Sequence, residues 1–360
     1  MPRILFLALN RPNRSPGQRF RFEQYFDFLK QNGFTYEFSY LLDAADDTIF
    51  YGNGNFFKKV GIVIKSFWKR LQEINSAKNY DIIFVQRECF MLGTSFFEKQ
   101  FSKSSKMIFD FDDSIWLPNV SDANKAFAWL KNPSKTADII ACADVIIAGN
   151  TYLKNYALQY NKNVVIIPTT IDTHEYQKLT IPKPDKITIG WSGSVTTIQH
   201  FEHTLAALTE VKQKYGENIC IKVIGDGKYK HKELGITGLA WNKETEIAEL
   251  SSFDIGIMPL PDDEWSKGKC GLKGLQYMAL EIATIMSPVG VNTEIIDDGK
   301  NGFLASTHEE WVQKLSCLIE SPELRAKIGQ AGRKTVVEHY SVDANKEKYL
   351  QIFRQVLDTK

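Results

Sequence analysis

The amino-acid sequence predicts an α/β protein built from two doubly wound domains, each with a parallel sheet covered by helices. Short apolar runs rich in Ile, Val and Phe alternate with helical stretches, which is typical of parallel strands buried on both faces. This series occurs twice, on either side of a polar segment with two prolines at 178–186. The length of 360 residues also exceeds what one hydrophobic core usually organises.

We therefore expect two domains and a terminal helix. The first domain would occupy residues 1–183 and the second residues 184–340, and a helix at 341–360 would cross back to the first domain. In open parallel sheets the ligand binds outside the carboxyl ends of the strands. Two facing domains of this type would therefore present both edges to one cleft, and the residues that follow the strands are the candidates for function.

The first domain begins with a strand and a capped helix. Ser15, Pro16 and Gln18 predict an N-cap, a first helical position and a capping-box partner, and Phe22 belongs to the face expected to be buried. The apolar runs that predict its strands lie at 4–9, 34–40, 82–86, 107–111, 145–148 and 164–168.

The second domain repeats the alternation. Ser321 and Pro322 predict the start of a late helix, and an amphipathic segment at 342–357 predicts the last one. Strands are predicted at 187–192, 219–224, 254–258 and 284–287, and helices at 199–214, 244–251 and 272–279.

Charge and cysteine content exclude several classes of protein. The chain has 44 basic and 43 acidic side chains, a formal charge of +1, so no overall field favours nucleic acid. Its five cysteines are scattered without a C-x-x-C pair, as expected for reduced thiols in the cytoplasm. No apolar run is long enough to span a bilayer. His200 and His203 lack a convincing third ligand, so we predict neither a metal nor a cofactor.

Two strand ends carry glycines that could admit phosphate. The first is GWSGS, in which Gly193 allows close approach of a ligand to the backbone and Ser194 offers a hydroxyl at a helix start. The second is VIGDG, which contains Gly225 but lacks the third glycine of a dinucleotide fingerprint. A tight strand-to-helix turn is the alternative explanation for both.

A basic, glycine-rich segment precedes the helix predicted at 272–279. Lys267, Lys269 and Lys273 alternate with glycines in KGKCGLKG. Cations together with backbone amides that have no partner within the helix can form an anion-binding site at a helix start. A solvated basic loop is the alternative interpretation. These residues are candidates for binding a diphosphate.

The second half resembles the GT-B glycosyltransferases of the retaining, nucleotide-sugar-dependent group often called family four. The motifs that carry the resemblance are IGWSGS, VIGDG, DIGIMPL, GLKGLQYMALEIATI and NGFL, in this order. It covers about residues 187–340 and continues more thinly through the first half. It implies a GT-B fold of two Rossmann-like domains, with the nucleotide-sugar donor bound by the second domain and the acceptor by the first.

Two positions depart from the family pattern. Members typically carry two glutamates separated by seven residues here, and this chain has Gly268 and Gln276 instead. The resemblance implies that Gln276 would contact the nucleotide ribose, because its amide oxygen still accepts a hydrogen bond. Gly268 has no side chain to contact the transferred sugar.

The predicted strand at 107–111 ends in DFDDSIW. Asp112 and Asp113 are the candidate catalytic residues, because a carboxylate there could accept a proton from an acceptor hydroxyl or stabilise positive charge on a sugar ring. The DFDD run is also similar to the D-x-D of metal-dependent, single-domain GT-A transferases. A turn capped by Asp113 is the third interpretation.

Arginines and aromatic residues give the first domain two further candidate surfaces. Arg14, Gly17 and Arg19 surround the first predicted helix start and could bind an anionic acceptor, or form a surface cluster without function. The segment FFKKVGIVIKSFWKR at 56–70 has the composition of an interfacial helix, which predicts peripheral membrane contact, or of a buried helix with lysine edges.

The sequence thus predicts a cytoplasmic enzyme of polysaccharide biosynthesis, working at the inner face of the membrane. It would transfer a sugar, as a hexosyltransferase with retention, from a nucleoside-diphosphate sugar to a glycan, lipid-linked or small-molecule acceptor. One alternative is a catalytically silent relative that binds a nucleotide sugar or a partner transferase. Another is a different GT-B-shaped enzyme, such as a nucleotide-sugar epimerase, which would convert a donor without any acceptor.

Overall fold

The computed structural model describes residues 1–52, 54–117, 132, 134–182 and 185–358. The chain divides into two compact units, one of Met1–Thr169 with Asn345–Lys360 and one of Thr170–Ala344. The predicted boundary between residues 183 and 184 lies outside the described residues. The segment at 170–182 belongs to the second unit, where Arg333 donates to the Tyr176 carbonyl at 2.9 Å and Ile171 pairs with Ser341.

The described part of the first unit contains one six-stranded parallel sheet, in the order β2-β1-β3-β4-β5-β6. Its strands are β1 (Arg3–Asn10), β2 (Thr35–Leu42), β3 (Ile82–Gln86), β4 (Lys106–Phe111), β5 (Val145–Ala148) and β6 (Val164–Ile166). Its helices are α1 (Pro16–Arg19), α2 (Phe26–Gln31), α3 (Ala44–Tyr51), α4 (Phe56–Ser76), α5 (Phe96–Ser104), α6 (Lys135–Cys142) and α7 (Thr151–Ala157). All six predicted strands are confirmed, because continuous apolar runs suit a sheet buried on both faces.

The second unit, over the residues described, repeats this with six strands in the order β11-β8-β7-β12-β13-β14 and a small antiparallel pair, β9 and β10. Its strands are β7 (Ile187–Ser192), β8 (Ile219–Gly225), β9 (Lys230–His231), β10 (Ile236–Thr237), β11 (Leu239–Ala240), β12 (Ile255–Met258), β13 (Ala283–Met286) and β14 (Phe303–Leu304). Its helices are α8 (Ile198–Glu202), α9 (Leu205–Tyr215), α10 (Glu246–Ser251), α11 (Glu264–Lys267), α12 (Leu272–Ala279), α13 (Asn292–Ile295), α14 (His308–Glu320) and α15 (Pro322–Thr335), followed by a π-helical turn, Val336–Tyr340.

The last helix, α16 (Val342–Asp358), is held to the first unit by aromatic stacking. Tyr349 stacks on Tyr25 with ring centroids 4.2 Å apart, and Phe353 stacks on Phe84 at 6.0 Å. Phe84 in turn contacts Phe6 in β1 at 4.9 Å. Aromatic pairs of this kind stabilise a core beyond the area that they bury.

Two details of the predicted helices were wrong. The helix predicted at 199–214 is divided into α8 and α9, because the Thr204 hydroxyl donates to the Phe201 carbonyl at 2.8 Å and competes with the helical pattern. Ser15 makes no side-chain capping bond, and Gln18 instead exchanges two hydrogen bonds with the Asn10 backbone, at 2.8 and 3.0 Å. The Ser321 cap of α15 is confirmed by a bond from the Leu324 amide at 3.1 Å.

Candidate functional site

In the second unit, the carboxyl ends of β7 and β8 pack backbone against backbone. The Gly193 amide donates to the Ile224 carbonyl at 2.9 Å. A Cβ on Gly193 would lie 2.1 Å from the Trp191 ring, and one on Gly225, whose φ is +134°, would lie 2.3 Å from the Gly193 carbonyl oxygen. Glycine is therefore required at both positions for this close approach.

The loop after Gly193 presents hydroxyl groups at the surface. Ser194 is exposed and caps the 3-10 turn Val195–Thr197, and its hydroxyl lies 3.0 Å from that of Thr196 and 3.2 Å from that of Thr197. This arrangement gathers three hydroxyls beyond a strand end, where an anionic ligand can accept hydrogen bonds from them.

The three candidate lysines differ in their surroundings. Lys273 on α12 lies 4.7 Å from the Trp191 ring centroid, and its Nζ is 3.5 Å from the Thr197 hydroxyl. Lys269 lies over the Trp265 ring at 5.2 Å. Lys267 forms an ion pair with Glu264 at 2.8 Å. Lys273 therefore adds positive charge directly to the 193–197 loop, whereas the charge of Lys267 is balanced by a carboxylate.

His200 on α8 is an uncharged neighbour of these lysines. Burial, then Lys273 and Lys269, lower the pKa of its imidazole to about 4. Its side chain is buried while that of His203 is exposed, so the two do not share a face as a metal pair. Across the part of the chain that the structure describes, no group of three His, Cys, Asp or Glu residues could hold a metal ion.

Gln276 belongs to a buried hydrogen-bond network that the sequence did not predict. Its amide nitrogen lies 3.1 Å from the Tyr176 hydroxyl and 3.3 Å from Glu246 Oε1. Glu246 also accepts from Tyr176 at 2.6 Å and from the Trp241 indole at 2.8 Å. These contacts fix the orientation of the Gln276 amide by binding its nitrogen atom. Its members are up to 100 residues apart in the chain, so no local sequence signal could have found it.

In the first unit, Asp110 is a structural carboxylate. It lies inside β4, fully buried, and forms an ion pair with buried Arg21 at 2.5 Å. Arg21 also donates to the Ile167 carbonyl at 2.5 Å. Separating the two partners of a buried ion pair would leave an uncompensated charge in the core. The pair between Asp110 and Arg21 therefore holds the end of β4 in place.

Asp112 and Asp113 follow β4 and share one arginine. Arg87, directly after β3, contacts Asp113 at 2.8 Å and Asp112 at 3.6 Å. Its backbone has φ +64°, an uncommon conformation for arginine, and its amide donates to the Asp110 carbonyl at 2.8 Å. Burial, then the charge of Asp113, raise the pKa of Asp112 to about 6. Such a carboxyl can accept a proton near neutral pH.

The three candidate residues around α1 have different neighbours. A Cβ on Gly17 would lie 2.8 Å from Asp112 Oδ2, so the start of α1 packs directly on this carboxylate. Arg14 pairs with Asp47 at 2.7 Å, and Arg19 is mostly buried, with its guanidinium over the Phe20 ring at 4.9 Å. The structure thus places Gly17 beside Asp112 and pairs Arg14 with Asp47 of α3.

Comparison with known proteins identifies the chain. Residues 186–321 match the family model described as Glycosyl transferases group 1. The chain is a glycosyltransferase, and the matched segment lies in its second unit. An uncharacterized glycosyltransferase of Methanocaldococcus jannaschii is 22% identical over 316 residues, which cover 81% of this chain and 79% of that protein.

Similarity to solved structures shows that the glycosyltransferase has the GT-B fold. A sucrose-phosphate synthase of Thermosynechococcus elongatus superposes with a TM-score of 0.71 at 12% identity, covering 100% of both chains. HepE of Anabaena, in complex with UDP and glucose, gives 0.70 at 13% identity, covering 99% of this chain and 100% of that one. A glycosyltransferase of Rickettsia africae gives 0.70 at 15%, covering 100% and 99%.

The GT-B fold decides how the DFDD run of this glycosyltransferase is interpreted. In the GT-A interpretation, Asp110 and Asp112 would hold a divalent ion on the donor diphosphate. Asp110 instead neutralises Arg21 inside the core and has no exposed surface. The similarity to a D-x-D motif is therefore local, and the carboxylates that remain near the strand end are Asp112 and Asp113.

Proposed function

We propose that this glycosyltransferase moves a sugar from a nucleoside-diphosphate sugar to a glycan, lipid-linked or small-molecule acceptor, with retention of configuration. The second unit would bind the donor and the first would bind the acceptor. The observation that carries the proposal is the convergence of Lys273 with the glycine loop after β7, inside the segment that matches the group 1 model. Binding of UDP and glucose by HepE, a protein of the same fold, supports a donor of this class.

The donor diphosphate would be bound by charge and backbone amides together. Lys273 and Lys269 would supply the cations, and Gly193 and Gly225 would shape the site by letting the ends of β7 and β8 pack against each other. Ser194 donates from its hydroxyl, and Lys267 contributes less because it pairs with Glu264. The Gln276 amide oxygen would accept a hydrogen bond from the nucleotide ribose, since Tyr176 and Glu246 already bind its nitrogen.

The acceptor would react beside Asp112. In the proposed step the bond from the sugar carbon to the diphosphate oxygen breaks, and the hydroxyl oxygen forms its bond to that carbon on the same face, which retains the configuration. The hydroxyl proton passes to the Asp112 carboxylate. Asp113 and Arg87 would position that carboxylate. Gly17, Arg14 and Arg19 remain the proposed acceptor side of this surface, with Gly17 in contact range of Asp112.

A catalytically silent relative is the second candidate function. Gly268 and Gln276 at the two family glutamate positions favour it, because neither provides a carboxylate. Donor hydrolysis or transfer distinguishes the two candidates. A silent relative would bind the nucleotide sugar and release neither nucleoside diphosphate nor product.

Donor binding can be tested by thermal unfolding with a panel of UDP-, GDP- and ADP-sugars. A ligand at a hundred times its dissociation constant stabilises the folded protein by about 2.7 kcal/mol, which raises the melting temperature measurably. We expect one base to stabilise strongly. If no nucleotide sugar raises the melting temperature, the proposed donor site is refuted.

Transfer is expected to proceed without a divalent ion. Lysines and backbone amides would neutralise the leaving diphosphate, and Asp110 is already paired with Arg21. The rate should therefore be unchanged by a chelator such as EDTA. Loss of activity in EDTA that magnesium or manganese restores would contradict the proposed role of the lysines.

We also propose that the enzyme works in the cytoplasm, in peripheral contact with the inner face of the membrane. The five cysteines all lie within the described residues and none of them forms a disulfide, which supports a reducing compartment. No helix in the described ranges is long and apolar enough to cross a bilayer.

A further inference from the structure

The backbone turns sharply at Arg87, directly after β3. The Glu88 amide donates to the Gln86 carbonyl at 2.8 Å, and Arg87 between them has φ +64°. A hydrogen bond closed over one residue of positive φ is typical of a rare and strained form of the γ-turn. A strained backbone persists only where the surrounding structure holds it. The contacts that hold this turn therefore decide where the Arg87 side chain points.

A buried lysine binds the segment that follows the turn. Lys135, the first residue of α6, is 5% exposed. Its Nζ donates to the carbonyls of Phe90 and Leu92 at 2.5 and 2.9 Å, and to the Glu88 carboxylate at 2.9 Å. An ammonium group has three N–H donors, so these contacts use all of them. Lys135 therefore holds the backbone from Glu88 to Leu92 in one arrangement.

A buried carboxylate of α5 supports the same segment. Glu98 accepts from the Cys89 amide at 2.7 Å and lies 3.8 Å from the Lys135 ammonium. Burial favours the neutral amine of Lys135, but Glu88 and Glu98 outweigh it and raise the pKa of this lysine above its ordinary value. Lys135 is therefore charged, and hydrogen bonds from a charged donor are stronger than those between neutral groups.

The segment that Lys135 holds is joined to the arginine that contacts both candidate carboxylates. Arg87 lies 2.8 Å from Asp113 and 3.6 Å from Asp112. Glu88, which Lys135 binds, is the next residue along the chain. If the turn relaxed to a negative φ, the Arg87 side chain would point in another direction and leave the two aspartates. The position of the guanidinium thus depends on Lys135 through the backbone of the turn.

We propose that Lys135 is a positioning residue for sugar transfer, which holds the turn at Arg87 so that the guanidinium stays on Asp112 and Asp113. It acts through Arg87 and not by contact with the donor or the acceptor. This inference rests on the proposed role of Asp112. It adds to that role a residue of α6, a helix that the proposed step does not otherwise use.

The pH dependence of transfer separates positioning from simple stabilisation of the fold. After burial, the pKa of the Asp112 carboxyl responds to charged groups at the ends of β3 and β4, within β4 and after α1: Asp113, Arg87, Arg21 and Asp110. The two arginines lower this pKa and the two aspartates raise it. If Lys135→Met releases Arg87, the pKa of Asp112 should rise and the acid limb of the activity profile should move to higher pH. Lower stability alone would reduce the amount of active enzyme without moving the limb.

The test measures steady-state transfer by the full chain across pH. Lys135→Met should lower kcat at neutral pH by at least about tenfold, because small displacements of catalytic groups have effects of this size or larger. The KM for the donor should stay close to the parental value, and the acid limb should move up by about half a pH unit or more. The matched control is Lys106→Met, which removes a lysine that pairs with Asp144 at 3.2 Å at the opposite end of β4. It should keep the parental kcat and acid limb.

A double variant identifies the route of the effect. In a protein that already carries Arg87→Met, the change Lys135→Met should lower kcat no further and move the acid limb no further. A further loss or shift would mean that Lys135 acts without Arg87, which overturns the proposal. Lys135→Gln keeps an amide donor but is too short for all three contacts, so it should give an intermediate loss and serves if Lys135→Met does not fold. A parental kcat and acid limb in Lys135→Gln overturns the proposal.

Crystal structures of the Lys135 variants give a readout that does not depend on transfer. The Arg87 guanidinium should leave Asp113, and a guanidinium that still lies about 2.8 Å from this carboxylate overturns the proposal. The proposed function fails separately. A parental turnover number in Asp112→Asn would remove Asp112 from the mechanism, whereas impaired Asp112→Asn with parental Lys135→Met refutes only the positioning role of Lys135.

Discussion

Asp112→Asn is expected to lower the turnover number by about 10²–10⁴-fold, the range typical of a lost general base. Asparagine keeps the shape of the side chain but has no carboxylate to accept a proton. Donor affinity should stay close to the parental value, because the proposed donor residues belong to the second unit. Steady-state kinetics with calorimetric donor titration measure both quantities. A parental turnover number would remove Asp112 from the mechanism.

The pH dependence gives Asp112 a signature that a structural role would not produce. Its pKa is raised to about 6, so the carboxyl is ionised above that pH and becomes protonated as the pH falls through it. Activity of the parent should therefore decline below about pH 6, since a protonated carboxyl cannot accept a further proton. The residual activity of Asp112→Asn should lack this decline. An identical acid limb in both proteins would assign the titration to another group.

Asp113→Asn is the matched control. Asp113 forms the shorter contact with Arg87, 2.8 Å against 3.6 Å for Asp112, which favours a positioning role. Its loss also removes the neighbouring negative charge that raises the pKa of Asp112. We expect a smaller loss of turnover and an acid limb displaced to lower pH. Sequence spacing alone does not decide which of the two aspartates is the catalytic one. The contacts of Arg87, at the end of β3, distinguish them.

The positions of the six strands described in the first unit, and of β7, β8, β12 and β13 in the second, follow from the sequence because the signal is local. The short strands β9, β10, β11 and β14 were not predicted. The strands Ile82–Gln86, Val145–Ala148 and Ile187–Ser192 have the bounds that their apolar runs predict. Helix Leu272–Ala279 also has its predicted bounds. A strand must be apolar throughout when helices cover both faces of its sheet. The composition of a few consecutive residues is therefore sufficient to predict where such a strand lies.

Features that depend on tertiary partners could not be predicted in this way. Gln18 has the spacing of a capping-box residue, yet the Asn10 backbone offers it two hydrogen bonds. The burial of Arg70 in α4 follows from the Ala8 and Cys89 carbonyls, which accept hydrogen bonds from its guanidinium in the folded unit. In both cases a long-range polar partner determines the side-chain direction, and the local pattern carries no information about it.

Lys273→Ala is expected to weaken donor binding by about 10–150-fold, which corresponds to a charge-assisted contact of about 1.5–3 kcal/mol. Lys273 is chosen because its Nζ lies beside Thr197 and above Trp191, at the loop that would receive the diphosphate. The change in unfolding free energy should be much smaller, since a partly exposed lysine contributes little to folding. Calorimetry with the donor and denaturant unfolding measure the two effects separately.

Lys267→Ala distinguishes a specific contact from general positive charge. It removes the same unit of charge from the same basic segment, but Lys267 already pairs with Glu264 at 2.8 Å, and partly exposed pairs contribute at most about 1 kcal/mol. If individual lysine contacts bind the diphosphate, Lys267→Ala should weaken donor binding by less than about fivefold. The loss of donor affinity in Lys269→Ala should lie between those of Lys267→Ala and Lys273→Ala. Equal losses in all three variants would mean that summed charge attracts the donor. Unchanged affinity in both Lys269→Ala and Lys273→Ala would exclude these lysines from the donor site. The Ser194 hydroxyl would then be the remaining candidate at this loop, because the Gly193 amide already donates to the Ile224 carbonyl.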